Sequence, residues 1–111
     1  MKVTVSLKGN RQFRRMYSKG KSGADSLLAV YCRKNGRAIN RLGITVGKKV
    51  GCAVKRNLLR RRIKEAYRKN EDMLACGYDI VVVGRVRAGF SDFWSIEKSL
   101  MTLLKAVGAL K

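Results

Sequence analysis

The segment AVKRNLLRRRIKEAYR, residues 53–68, decides the fold, because its apolar residues recur at helical spacing while its polar residues are almost all cationic. On a helix with about 3.6 residues per turn, the apolar positions gather on one side. They are Leu59, Ile63, Ala66 and Tyr67. The opposite side carries residues at spacings of four, three and four, namely Asn57, Arg61, Lys64 and Arg68. The segment therefore predicts an amphipathic helix with a buried stripe and a cationic outer face.

The cationic face of this helix is dense. Seven basic residues lie between positions 55 and 68, together with a single acidic residue, Glu65. Like charges three or four residues apart destabilise an isolated helix by about a few tenths of a kcal/mol per pair. A solvated helix face is the plain alternative interpretation, but the number of cations favours a surface that binds phosphates.

The net charge of the chain is confined to its first two-thirds. Residues 1–70 hold 21 of the 26 Lys and Arg residues but only Asp25 and Glu65 among the seven acidic residues. Such asymmetry indicates a nucleic-acid partner or an anionic membrane surface. No apolar run approaches the length of about 18 residues that a spanning helix needs, and the first residues lack the apolar core of a signal peptide. We therefore expect a nucleic-acid partner, no membrane and a cytoplasmic location.

The length of 111 residues predicts one domain over residues 1–111, with a modest core. The chain has no histidine, and its three cysteines, Cys32, Cys52 and Cys76, have no CxxC spacing. This usage is typical of reduced thiols in an intracellular protein, so no zinc and no other protein-held metal is expected. Cys52 lies at the start of the cationic helix, where its pKa can be lowered, although a small structural residue is the simpler interpretation.

The residues before position 20 predict a first helix. Asn10 can cap a helix over residues 11–19. Three residues share one face of that helix, namely Phe13, Met16 and Tyr17. Gly20 then ends the helix.

Three further segments predict strands, at residues 26–33, 41–46 and 78–84. Asn35 and Gly36 indicate a hairpin-like connection between the first two. The second strand alternates apolar residues with small or polar ones, which predicts one face that is uncrowded and can accept a backbone from outside. The third, YDIVVVG, is aliphatic throughout, which predicts a central position in the sheet.

A last helix is expected over about residues 92–107, with Ser91 as its cap and a strong apolar stripe. The stripe consists of Phe93, Ile96, Leu100, Leu103, Leu104 and Val107. The predicted element order is therefore α-β-β-α-β-α, a single-domain α+β sandwich.

No catalytic residue is expected in the chain itself. General acid–base catalysis near neutral pH usually needs histidine or a tuned pair of carboxylates. Histidine is lacking, and the nearest carboxylate pair, Glu71 and Asp72, fits a solvated helix exit. The segment GKKVG, residues 47–51, matches no phosphate-loop motif. Its two lysines, Lys48 and Lys49, can still hold a phosphate from a flexible turn.

The run RLGITVGKKVGCAVKRNLLRRRIKEAYR, residues 41–68, resembles the signature of the bacterial ribonuclease P protein component. In that family a strand and a lysine-bearing turn precede an Arg-Asn-Arg helix. Residues 7–22 are similar to the family's first helix, and residues 78–85 to its third strand. One position departs from the pattern, since Leu58 stands where most members carry the second arginine of the motif.

The resemblance implies an α+β sandwich with a left-handed βαβ crossover, against the usual preference for right-handed connections. It also implies a role as the protein subunit of the ribonuclease P holoenzyme, an endoribonuclease that removes the 5′ leader from precursor tRNA. The RNA subunit would carry the chemistry, with Mg²⁺ held mainly by that RNA. The partners implied are ribonuclease P RNA and precursor tRNA, and the protein would be a monomer in the holoenzyme.

The resemblance also assigns binding residues. Those that face the catalytic RNA would be Lys48, Lys49, Arg56, Asn57, Arg60, Arg61, Lys64 and Arg68. Those that receive the single-stranded leader would be Phe13, Tyr17, Arg41, Thr45 and Arg85. Stacking of bases on aromatic rings contributes about 1 to 3 kcal/mol per base and tolerates any sequence, which suits a leader that differs among substrates. Phe13 and Tyr17 are equally consistent with ordinary core residues.

Two other function classes share these features. A structural protein that binds ribosomal RNA would have the same size and basic composition, and no role in tRNA processing. A DNA-binding protein could insert the basic helix in a major groove. The interpretation as a DNA-binding protein is the weaker one, because so many charges around the helix leave few residues suited to recognising base edges.

Overall fold

The computed structural model describes residues 4–6 and 20–111. Within these residues the chain forms five strands, two α-helices and three short 3₁₀ helices. The strands are β1 (Thr4–Ser6), β2 (Lys21–Ala24), β3 (Leu28–Lys34), β4 (Asn40–Val46) and β5 (Tyr78–Gly84). The α-helices are α1 (Ala53–Lys69) and α2 (Phe93–Ala106), and the 3₁₀ helices are Lys48–Val50, Glu71–Met73 and Val86–Phe90. The predicted α+β class is confirmed, whereas the helix predicted over residues 11–19, with Phe13 and Tyr17, lies outside the described residues.

The sheet has the order β1-β4-β5-β3-β2. β5 pairs in parallel with β4 and antiparallel with β3, so its predicted central position is confirmed. The hairpin predicted between β3 and β4 is wrong, because β5 lies between these two strands. The connection between β3 and β4 instead contacts the residue before β5, because the backbone N–H of Asn35 donates a hydrogen bond to the Gly77 carbonyl at 2.9 Å. A strand that is apolar on both faces is typical of the centre of a sheet, where both of its faces are covered. This pattern favours the place of β5 between β3 and β4.

Two of the strands have no signal in the sequence. β1 pairs in parallel with β4, and β2 pairs antiparallel with β3. The sequence of β2, KSGA, lacks both apolar alternation and β-branched residues, so only its pairing with β3 makes it a strand.

The basic helix α1 buries the stripe that its sequence predicts. Its buried residues are Leu59, Ile63, Ala66 and Tyr67. The helix packs closely on the sheet at Gly84, where an added Cβ would lie 2.8 Å from Leu59 Cδ2 and 3.2 Å from Val46 Cγ2. A larger residue at this position would therefore push the helix away from β4 and β5.

The second helix, α2, completes the core with an apolar stripe that is largely as predicted. Its buried members are Ile96, Leu100, Leu103, Leu104 and Val107, while Phe93 is half-buried. The cap predicted at Ser91 is wrong. Asp92 caps the helix, because its Oδ1 accepts a hydrogen bond from the Ser95 amide at 2.8 Å. Over residues 4–6 and 20–111, neither helix has the length and apolarity that crossing a membrane requires.

Candidate nucleic-acid interface

The outer face of α1 carries the predicted row of polar and basic side chains. All four members are exposed, namely Asn57, Arg61, Lys64 and Arg68. The row follows from the burial of the opposite stripe, since a helix that packs one side on a sheet must turn the other to solvent. The predicted division of α1 into a buried and a cationic face is thus confirmed.

The cations of α1 differ in how much of their charge is available. In the described part of the chain, Arg61 and Lys64 have no hydrogen bond or ion pair to another side chain. Arg68, in contrast, pairs with Glu65, with Nε at 3.0 Å from Oε2. Hydrogen bonding to Arg68 lowers the pKa of the Glu65 carboxyl, which keeps that acid charged. Arg61 and Lys64 are therefore the most available cations on this face.

Two other predicted arginines of α1 are half-buried rather than fully exposed. Arg60 donates to Asn57 Oδ1 at 2.9 Å and reaches the Val46 carbonyl at 3.5 Å. Arg56 has its Nε buried, with no hydrogen-bond partner among the described residues. Both side chains lie on the flank of the helix that approaches β4, so substituting either one would disturb packing as well as charge.

A groove of about 580 Å³ opens at the end of the sheet, next to the turn that precedes α1. Its walls include Thr45, Lys48, Lys49, Val83, Arg85 and Val86. The turn is a 3₁₀ helix rather than the flexible loop expected from GKKVG. The groove brings together two sets of residues that the family resemblance assigns to different RNAs, namely Lys48 and Lys49 to the catalytic RNA, and Thr45 and Arg85 to the leader.

Arg41 lies at the other end of this sheet face and is held by Asp79. Register places the two residues opposite each other on β4 and β5. Arg41 Nε lies 2.7 Å from Asp79 Oδ1, and Nη2 lies 2.6 Å from Oδ2. Asn35 Nδ2 donates to the same Oδ1 at 3.0 Å. Arg41 is thus part of a network that is partly buried in the sheet, and its predicted contact with the leader stays a prediction.

Burial of Asp79, which is 8% exposed, raises the pKa of its carboxyl, but the hydrogen bonds from Arg41 and Asn35 outweigh burial and lower that pKa overall.

The same face of β5 carries Val81, which is fully buried, and Gly43 opposite it is buried too. The expectation of an uncrowded face is therefore wrong at this end of the sheet. The face is open at the end where Thr45 and Arg85 line the groove.

A second row of cations on α1 was not recognised in the sequence. Lys55, Arg62 and Lys69 are spaced seven residues apart and face the segment that leads into α2. Arg62 Nη1 donates to the Ser91 carbonyl at 2.7 Å. The spacing of seven was a usable signal, because residues two turns apart on a helix share a side.

Most carboxylates of the described residues are engaged with other groups. The engaged acids are Asp25 with Ser99, Glu65 with Arg68, Asp79 with Arg41, Asp92 with Ser95, and Glu97 with Lys69. No group of three or more Cys, Asp or Glu residues comes together within residues 4–6 and 20–111. Glu71 is buried, at 7% exposure, so the solvated carboxylate pair expected at the end of the basic helix is wrong for this member of the pair.

The three cysteines are free thiols in different surroundings. Cys52 is exposed at the N-cap of α1, where the backbone N–H groups of the first turn, above all that of Lys55, lower the pKa of its thiol, as its place in the sequence predicts. Cys32 is buried in β3, and burial raises the pKa of its thiol to about 11. Cys52 is the more readily ionised of the two.

A small α+β domain with one cationic helix face and a lysine-lined groove at the end of its sheet belongs to the class of polyanion-binding proteins. The family model for ribonuclease P matches residues 1–108. The chain therefore belongs to the ribonuclease P protein family.

Relatives from several bacteria support this assignment. The chain is 45% identical over 103 residues to the ribonuclease P protein component of Clostridium botulinum (strain 657 / Type Ba4), which covers 92% of this chain and 93% of that protein. It is 46% identical over 103 residues to the component from Clostridioides difficile (strain 630), covering 92% of this chain and 90% of that protein.

Solved structures share the fold. The RNase P protein of Staphylococcus aureus matches with a TM-score of 0.87 at 34% identity, over 96% of this chain and 97% of that chain. The RNase P protein of Thermotoga maritima matches with a TM-score of 0.85 at 36% identity, over 94% of this chain and 98% of that chain. The expected function class, a protein component of the tRNA-processing endonuclease ribonuclease P, is confirmed, and the ribosomal alternative is not favoured.

Proposed function

We propose that this protein binds ribonuclease P RNA through the outer face of α1 and the single-stranded 5′ leader of precursor tRNA in the groove at the end of the sheet. It acts as a monomer, in the cytoplasm, within a holoenzyme whose RNA subunit holds Mg²⁺ and carries out the cleavage. The observation that carries this proposal is the outward row on α1, in which Arg61 and Lys64 have no competing partner among the described residues.

The row suits the backbone of a structured RNA. Arg61 and Lys64 are three residues apart on one exposed side, and Asn57 and Arg68 extend that side by one turn in each direction. Each cation that neutralises a phosphate releases condensed counterions, so binding gains free energy without reading any base. Such a surface fits a large folded RNA better than a particular short sequence.

The groove suits a single strand. Lys48 and Lys49 supply charge on one side and Arg85 on the other, and the floor between them is made of small or aliphatic residues such as Thr45 and Val83. Arg85 is oriented by its own contact, since Nη1 donates to the Asp25 carbonyl at 2.9 Å. A groove of this kind can hold the backbone of a leader of any sequence, which a general tRNA-processing enzyme needs.

The protein contributes by holding the substrate rather than by chemistry. The chain has no histidine, and the carboxylates described above are taken up by hydrogen bonds and ion pairs. The precursor has a leader and the mature product does not. Contacts with the leader therefore raise the affinity for the precursor above the affinity for the product, so the product dissociates more readily than the precursor does.

The decisive experiment is processing of a precursor tRNA by a bacterial ribonuclease P RNA at low Mg²⁺, with and without this protein. We expect strong stimulation by the protein. The variant Lys48→Ala/Lys49→Ala should weaken binding of precursors with a long leader and leave binding of mature tRNA unchanged. Lys98→Ala/Lys105→Ala, which removes two exposed cations of α2, is the matched control. Absence of stimulation would overturn the proposed function, and equal loss for precursor and mature tRNA would overturn the assignment of the groove.

A further inference from the structure

Two large aromatic side chains lie exposed beside α1, one at the end of the 3₁₀ helix that precedes α2 and one in the first turn of α2. Phe90 is 76% exposed and Trp94 is 65% exposed. Exposed apolar area that is grouped on one side of a protein often marks an interaction surface. Neither ring belongs to the outer row of α1 or to the groove at the end of the sheet.

Each of these rings is accompanied by a lysine of α1. Lys55 Nζ lies 3.4 Å from the centroid of Phe90, and Lys69 Nζ lies 4.7 Å from that of Trp94. Phe93 meets Trp94 edge-on, with centroids 5.3 Å apart. The ring planes are therefore fixed by their neighbours, while their high exposure leaves area on each ring open to a ligand. A positive charge next to an open ring matches a nucleotide, which presents a flat base and a phosphate together.

A groove of about 450 Å³ runs between α1 and the start of α2. Leu58 and Phe93 give it apolar area, and Arg61, Arg62 and Arg68 line it with charge. Its shape is held by hydrogen bonds between the two sides, since Arg62 donates to the Ser91 carbonyl and Asn70 Nδ2 donates to Glu97 Oε2 at 3.0 Å. The volume lies within the usual range for a small-molecule site.

We infer that Phe90 and Trp94, which stand at the two ends of the row Lys55, Arg62 and Lys69 beside this groove, bind unpaired nucleotides of the ribonuclease P RNA by stacking. The inference rests on the proposed function and adds to it, because the contacts proposed for the outer row of α1 are with phosphates and involve no base. The site takes bases that are free to unstack, such as those of a loop or bulge, rather than paired ones. A second copy of this chain is a poor occupant, since the charge of +19 on each copy opposes its approach.

The test separates stacking from simple apolar contact. Phe90→Leu and Trp94→Leu keep apolar bulk and remove the ring, whereas Phe90→Tyr and Trp94→Phe keep a ring. We expect each leucine variant to bind ribonuclease P RNA at least about fivefold more weakly, and each aromatic variant to bind like the wild type. The slope of log K against log salt should not change, because no charge is removed. Circular dichroism should show the same fold, since both side chains are mostly exposed.

Trp94 also provides a direct signal, because it is the single tryptophan of the chain. Its fluorescence should be quenched as the RNA is added, in proportion to the bound fraction. Equal affinity of wild-type and leucine variants, or unchanged fluorescence on binding, would overturn the inference. Failure of the wild type to bind the RNA would instead overturn the proposed function. A self-association in sedimentation that both leucine substitutions abolish would assign the surface to a second copy of the chain and also overturn the inference.

Discussion

The outer row of α1 makes a quantitative prediction about salt. Replacing Arg61 and Lys64 together by Gln removes two exposed charges that have no partner among the described residues. The slope of log K against log salt is negative, and each lost phosphate contact makes it shallower by about one. The slope of the double variant should therefore be shallower than that of the wild type by about two. Between 50 and 200 mM salt, the affinity gap between wild type and variant should therefore shrink by about 16-fold.

The assay is binding of ribonuclease P RNA by filter retention across this range of salt, with a control of equal charge. Lys98→Gln/Lys105→Gln also removes two exposed charges, but from α2. If both double variants lose the same slope, net charge rather than the face of α1 governs binding, and the reasoning is refuted. Arg60 is a poorer probe than Arg61, because its bonds to Asn57 and to β4 would be lost with its charge.

Four further outcomes are expected. Ile63→Ala should destabilise the protein by about 2 to 5 kcal/mol in urea unfolding, because Ile63 is fully buried between α1 and the sheet, and a loss below about 1 kcal/mol would contradict the packing. Asp79→Asn should cost about 1 to 3 kcal/mol at pH 7. Because the folded-state pKa of Asp79 is lowered below 3.8, this difference should be complete above pH 3.8 and disappear as the pH falls through the folded-state pKa, and a difference that grows in acid would contradict it. In alkylation of the native protein near pH 7, Cys52 should react rapidly and Cys32 only after unfolding. Mass spectrometry of the modified peptides gives the order, and modification of Cys32 before Cys52 would contradict the prediction. Asp92→Ala should lower the melting temperature through loss of the cap of α2, whereas Asp92→Ser should retain most of the wild-type value, as thermal unfolding would show.

The parts of the fold that could be predicted depend on neighbours along the chain. The buried stripe of α1 follows from the spacing of four residues, since a helix brings such positions together without help from the rest of the protein. The same holds for the stripe of α2. The aliphatic run of β5 predicts its central place, because burial on both faces requires no knowledge of which strands flank it.

The parts that could not be predicted depend on pairing between distant segments. Asp79 and Arg41 meet only because β5 inserts between β3 and β4 and pairs with β4 in one register. Sequence spacing carries no information on that register. The cap of α2 is a smaller case of the same kind, because Ser91 and Asp92 are both good caps and the path of the preceding 3₁₀ helix decides between them.

The position of Lys48 and Lys49 changes how the two RNA surfaces relate to each other. In the sequence these residues adjoin α1, which suggests that they share its partner. In the structure they line the groove with Thr45 and Arg85, at the end of the sheet. Since α1 covers one face of the sheet and Thr45 alternates to the other, the turn stands where the two surfaces meet. A cationic turn at that edge would bring the proposed leader groove close to the face of α1 proposed for the catalytic RNA, without the two RNAs sharing a binding face.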